Sequence, residues 1–265
     1  MANLISVLEK PPPHITIKKY ARRIKKMPVK PGINIDHIVT EDDTPVDNIP
    51  SEKNQRLLTG ALYSSWDGAK PGEPFLVAAN VGVFYDIEKP PIVPDVFLSL
   101  EVKPKKDMWE KKNRTYFVHE FGKIPEVVIE IVSNKKGYED TAKMKRYAEF
   151  GPWYYVIFDP KNYLKKGILR VYKFDRYSRS YELIKGTWLP KIGLGMTVWH
   201  GEFEGERAMW LRWCDKHGNL ILTGKEQAEL ERQRAELECQ RAELAESRIS
   251  RLLAQMEAAG IEPHE

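Results

Sequence analysis

Three residues set among apolar neighbours carry the chemistry that this sequence offers: Asp95, Glu130 and Lys143. In the stretch EVVIEIVSNKKG (126–137), Val128, Glu130 and Val132 fall on one side of an extended chain and Val127, Ile129 and Ile131 on the other. Both sides are apolar apart from the glutamate, as in a strand buried on two faces. A carboxylate there is costly without a partner, so Glu130 calls for a buried cation, a lysine or a metal. Asp95 poses the same question at the head of the apolar run Val96–Leu100, directly after Pro94. Two acids on neighbouring strands suit one hard cation. Mg²⁺ takes oxygen ligands and keeps several waters, and it would activate a water and steady charge on a phosphate. Lys143 is the third member. On a helix over Tyr138–Phe150, Asp140, Lys143 and Tyr147 fall at i, i+3 and i+7 on one face. There the ammonium can orient a water or offset phosphate charge. The alternative on residue types alone is structural, with Lys143 neutralising Glu130 or Asp140.

The elements that must position these residues follow from pattern. A helix is expected over Glu52–Trp66, capped by Ser51, with Leu57, Leu58, Ala61, Leu62 and Trp66 at helical spacing. Short apolar runs then alternate with turns: Phe75–Ala79, Val81–Tyr85, Val93–Leu98 and Glu126–Val132. The helix Tyr138–Phe150 stops at Gly151-Pro152. A strand Trp153–Phe158 and a hairpin of Leu169–Phe174 with Ser180–Ile184 follow. Apolar stretches at Met196–Phe203 and Met209–Leu222 close the domain. This order implies an α/β protein with a mixed β-sheet flanked by helices.

Domain organisation reads as an extended basic, proline-rich arm (1–45), a compact domain (46–225) and a heptad-bearing helical tail (226–265). In the tail Leu230, Leu237 and Leu244 recur one heptad apart, while Arg234, Arg241 and Arg251 interrupt the stripe. A dimerising coiled coil and a single solvated helix both fit.

Hydrophobic residues make up 42% of the 265 residues, enough for a substantial core. No run is apolar and long enough to span a membrane. The N-terminus lacks a secretory layout, and the two cysteines, Cys214 and Cys239, follow no metal or redox spacing. The expected location is the cytoplasm. Net charge is only +4, but its placement is uneven. Lys18, Lys19, Arg22, Arg23, Lys25 and Lys26 cluster in the arm, and a second run covers Lys103–Lys112. Such runs are solvated surface or contacts to nucleic-acid phosphates. No phosphate-loop or dinucleotide motif is present. His119 sits in a polar segment and reads as a surface histidine.

VPDVFLSL, EVVIEIVSNKKG, KMKRYAEFG and YYVIFDP, in that order, resemble the Uma-type restriction-endonuclease-like family, a branch of the PD-(D/E)XK nuclease superfamily whose members are mostly named by similarity. The likeness runs from about Pro45 to the tail. It implies a restriction-endonuclease-like fold, DNA as partner, and a metal-dependent endonuclease that hydrolyses phosphodiesters with Mg²⁺ or Mn²⁺. A homodimer, assembled through the C-terminal helix, is compatible with cutting both strands. Asp95 matches the motif aspartate and Glu130 its second acid. The motif lysine would fall at Val132, and Lys143 matches the position to which the family moves it onto the next helix. Ser133 and Tyr147 match recurrent positions, read as a turn-capping serine and a packing tyrosine. Many relatives carry a glutamate on the first helix where this chain has Gly60. Glu52 is the nearest acid on that helix, about 12 Å away along the axis. A degenerate DNA-binding or oligomerising protein on the same fold is the alternative.

Overall fold

The computed structural model of the chain describes residues 48–103, 105–134 and 138–260. Helix α1 (Ile49–Ser65) begins three residues before the Glu52 start expected from sequence. Asn48 caps it instead, its Oδ1 accepting from the Ser51 N–H, and Pro50 occupies the first turn, where a missing N–H costs nothing. The helix buries Leu57, Leu58, Ala61 and Leu62, and on the same face the polar Ser51, Asn54 and Gln55.

Strands β1 (Phe75–Ala79), β2 (Val83–Phe84) and β3 (Val96–Leu100) follow. A short strand β4 (Tyr116–Phe117) pairs with β2 in parallel and runs into the one-turn helix α2 (Val118–Phe121). Strand β5 (Val127–Ile131) leads, through a π-helical turn over Glu139–Lys143, into α3 (Met144–Phe150). Gly151 ends α3 with a φ of +72°, and a Cβ there would collide with the Phe174 ring. Strands β6 (Tyr154–Phe158), β7 (Leu169–Asp175) and β8 (Ser180–Leu183) complete a six-stranded sheet of order β1-β3-β5-β6-β7-β8. Within it β5 and β6 run parallel, joined by the crossover through α3, and every other pair runs antiparallel.

Alternation divides the core. Val127, Ile129 and Ile131 face a layer made by α1 and a second sheet of β9 (Trp188–Leu189), β10 (Leu194–Phe203) and β11 (Glu206–Cys214). Val128, Val132, Tyr155 and Ile157 face α3 and the β2–β4 ribbon. The stretch 209–222 is strand only to Cys214, which a tight turn through Asp215–Asn219 follows.

Helix α4 (Gly224–Ala258) opens on a capping box in which Thr223 and Glu226 exchange hydrogen bonds. Glu226 also pairs with Arg212 of β11, a guanidinium almost wholly buried. The whole helix is about 52 Å long at the standard rise and has no buried residue. No helix among the described residues is long and apolar enough to cross a membrane.

Candidate active site

Glu130 lies near the end of β5 and is completely buried. Its Oε2 accepts from Lys143 Nζ at 2.6 Å and its Oε1 from the Tyr147 hydroxyl at 2.6 Å. Asp95 stands one residue before β3. The β3–β5 register pairs Val96 with Ile129, so continuing it by one residue sets Asp95 opposite Glu130 on the same face of the sheet. Asp95 Oδ2 accepts from the Ile131 backbone N–H, which ties the head of β3 to the end of β5.

Burial pushes the Glu130 carboxyl above its usual range, against the opposing pull of Lys143 and Tyr147. Burial alone would lower the Lys143 ammonium. Attraction to Glu130, the hydrogen bond between them and smaller contributions from Asp95 and Glu139 outweigh it and raise the lysine. Burial and the nearby Glu130 keep the Tyr147 phenol protonated far above its ordinary value, so it donates to the carboxylate.

The trio expected from sequence is therefore brought together, but one expected alignment is not. Asp140 leaves the Lys143 face and pairs with Arg170 of β7 and Lys166. The cause is the π-helical turn, in which the Lys143 N–H donates to the Tyr138 carbonyl five residues back and rotates Asp140 away. Lys143 is thus partnered by Glu130 and not by Asp140.

Glu52 does not join the trio. It is exposed and pairs with Arg56, which also binds Glu204. A Cβ added at Gly60 would meet nothing within 4 Å. The α1 residue that reaches the Asp95 end of the sheet is Gln55. Its amide exchanges hydrogen bonds with Asn80, whose own N–H donates to the Asp95 carbonyl. Asn80 holds a left-handed φ of +54°, a conformation asparagine tolerates better than most residues. Gln55 and Asn80 went unnoticed in the sequence, although Ser51, Asn54 and Gln55 are polar interruptions of an otherwise apolar helix stripe. Asn54 explains itself structurally, exchanging two hydrogen bonds with the Leu211 backbone.

Ser133 is exposed just past β5, where its hydroxyl accepts from the Asn134 amide. The basic arm residues Lys18, Lys19, Arg22, Arg23, Lys25 and Lys26 lie outside the described residues. Part of the run 103–112 is engaged locally: Lys105 donates to the Glu120 carbonyl and Lys112 pairs with Glu110, while Trp109 stands 81% exposed between them. His119 is not a surface residue, since its ring is half-buried against Phe117 and its Nε2 is enclosed.

A divalent cation here has two carboxylates to hold it. Among the described residues no group of three or more histidine, cysteine or acidic side chains could do so. Two hard oxygen donors fit an ion that keeps most of its waters. Asp95 is partly exposed and Lys143 keeps 35% of its side chain in water, whereas Glu130 itself is enclosed.

A mixed sheet with helices on its faces and an acidic pair beside a lysine at the strand ends defines the restriction-endonuclease-like class of α/β proteins. The family Uma2, described as "Putative restriction endonuclease", matches residues 43–187, more than half of the chain, and the chain belongs to that family. No curated protein matches it.

Proposed function

We propose that the chain is a divalent-metal-dependent DNA endonuclease, with Asp95 and Glu130 as metal ligands and Lys143 as the positioning cation. The observation that supports this reading most is the Lys143–Glu130 pair at 2.6 Å, set cross-strand from Asp95 at a partly open sheet end. The trio lines neither the cavity beside Trp153 nor the groove beside Tyr85. Asp95 and Lys143 are partly exposed at that end of the sheet, which suits a polymer backbone better than an enclosed small molecule. Mg²⁺ or Mn²⁺ bound by the two acids supplies positive charge at the phosphate and acidifies a water.

The chain's own residues divide the remaining work. Asp95 fixes the sheet end through the Ile131 N–H. Glu130 is held by Tyr147 from the dry side, so its carboxylate cannot rotate freely. Lys143 keeps its charge, stands at the wet edge and offers further N–H donors to a phosphate oxygen or a water. The basic arm and the segment around Trp109 supply phosphate contacts outside the reacting centre. We place the catalytic domain at 46–225, with the arm before it and the tail after it.

Plasmid DNA incubated with the protein and Mg²⁺ or Mn²⁺ tests the reading. Nicking or linearisation should require the ion and fall at least ~100-fold in Asp95→Asn, Glu130→Gln and Lys143→Ala. Cleavage that survives the two acid substitutions would sink it.

A second reading has its own observation. Both Glu130 oxygens are already occupied by Lys143 and Tyr147, as in a site retained for structure on a DNA-binding protein. Calorimetry with Mn²⁺ separates the two, because absence of binding at millimolar ion favours the second.

The exposed leucines of α4, Leu237 and Leu244, are suited to pair with a second copy of the chain. Light scattering should show a dimer's mass for the full chain and a monomer's for a chain ending after Leu230, which keeps the Glu226 anchor. A shortened chain that is still dimeric excludes the tail as the dimer contact.

A further inference from the structure

Away from the acidic pair, three cations converge on one hollow. Trp153 and Tyr154 at the start of β6, Lys173 and Phe174 near the end of β7, Arg176 in the following turn and Lys191 between β9 and β10 line a cavity of about 60 Å³. The strand register sets Tyr154 opposite Lys173. Lys191 Nζ stands 4.3 Å from the centre of the Trp153 ring, and the Lys191 N–H donates to the Tyr154 hydroxyl at 3.5 Å.

Like charges gathered this way repel unless something compensates them. None of the ion pairs among the described residues involves Lys173, Arg176 or Lys191. The nearest acids do not answer them. Asp175 is taken up by the Tyr177 N–H and the Ser178 hydroxyl. Glu182, cross-strand from Lys173, is exposed. Burial, and then repulsion by Arg176 and Lys173, pushes the Lys191 ammonium below its usual value. Lys173, Arg176 and Lys191 all reach the surface, and the hollow they line together is where an anion would meet all three.

Size narrows the choice. The hollow is small beside an ordinary ligand pocket, and its cationic lining selects a compact oxyanion. The Trp153 and Phe174 rings line it as well, and the lysine and arginine donors make charge-assisted hydrogen bonds, the stronger kind.

We propose that Lys173, Arg176 and Lys191 form a binding site for a phosphate group, free or carried as a 5′-terminal monoester. The site is independent of the nuclease reading. Tyr154 pairs with Val127 at the opposite end of β5 from Ile131, and it faces the α1 layer, whereas Glu130 faces α3.

Calorimetry on the full chain tests this, with inorganic phosphate titrated at chloride-matched ionic strength. Parallel titrations use a dinucleotide with and without a 5′-phosphate. Saturable binding of free phosphate, or of the phosphorylated dinucleotide alone, identifies the source. Either should weaken about tenfold or more in Arg176→Ala/Lys191→Ala, the loss expected for charge-assisted hydrogen bonds. Lys191→Arg should retain it. Asp95→Asn should bind phosphate as the wild type does, whatever becomes of cleavage. The proposal is overturned by heats that never saturate with any probe, or by equal binding of both dinucleotides. Affinity unchanged in the double variant, with its circular dichroism intact, overturns it as well.

Discussion

Lys143 and Glu130 form an ion pair with one wet end and one dry end. Nζ and Oε2 are 2.6 Å apart, yet the lysine side chain keeps 35% of its surface in water and the glutamate 1%. The lysine can remain charged without its partner, whereas the glutamate cannot do so cheaply. That asymmetry makes the two single substitutions behave differently.

Lys143→Met should destabilise the fold by about 3 kcal/mol at neutral pH, since it strands a buried carboxylate. Glu130 already has a raised pKa from burial, and loss of the lysine removes the main force opposing the rise. An acid with a raised folded pKa binds more protons folded than unfolded. Its penalty is therefore absent below the unfolded value of about 4.3 and grows as pH climbs to the folded pKa. Thermal melts of the variant should approach wild type near pH 4 and fall furthest behind above neutrality. A pH-independent difference would contradict this account.

Tyr147→Phe removes one hydrogen bond to a buried charge and leaves the ring packing in place. A loss of about 1.5–3 kcal/mol is expected in urea unfolding. Cleavage activity should fall more gently than in Glu130→Gln, because Tyr147 orients the carboxylate and does not touch substrate. Equal losses of activity in the two variants would argue against a positioning role.

The two acid-or-amide candidates on α1 should separate cleanly. Glu52→Ala disturbs only an exposed cluster with Arg56 and Glu204 and should leave both melting temperature and cleavage unchanged. Gln55→Ala strips Asn80 of its amide partner at the Asp95 end of the sheet. It should cost about 1–3 kcal/mol and reduce cleavage. The reverse ranking in a plasmid assay would restore Glu52 to the pocket.

The tail anchor should fail in acid. Burial alone would raise Glu226, but hydrogen bonds from Arg212 and Thr223 outweigh it and hold the carboxyl below its ordinary range. An acid with a lowered folded pKa contributes stability above its unfolded pKa, lost as pH falls through the folded one. Limited proteolysis around residue 224 should therefore accelerate on acidification below about pH 4. In Glu226→Gln it should already be fast at pH 7. We expect the substitution to cost about 2 kcal/mol, less than breaking a fully buried pair, because Glu226 keeps a third of its side-chain surface in water.

Strong local signals made much of this legible in the sequence. The apolar alternation around Glu130 marked β5 as buried on both faces, and a lone carboxylate in that setting announced that a partner must exist. The turns at Gly151-Pro152 and Asp175–Arg179 bounded elements that the structure places within a residue or two. The bounds of α1 were less legible, because Ser51 and Asn48 are both good caps and Pro50 between them decides in favour of the earlier one.

Tertiary structure alone decided which partner each charge took. A helical wheel drawn at 3.6 residues per turn puts Asp140 beside Lys143, but one π-helical turn sends Asp140 to Arg170 and frees Lys143 for Glu130. Gln55 met Asn80 only because β1 ends against the head of β3, twenty-five residues along the chain from α1's polar stripe. Likewise Lys173 lies on β7, Arg176 in the turn after it and Lys191 between β9 and β10, and the β6–β7 register together with the fold-back before β10 brought them to one hollow. Periodicity reports which face of an element is apolar, because that is set by neighbours in the chain. Which charges meet is set by how elements cross, and that depends on packing between residues far apart in sequence.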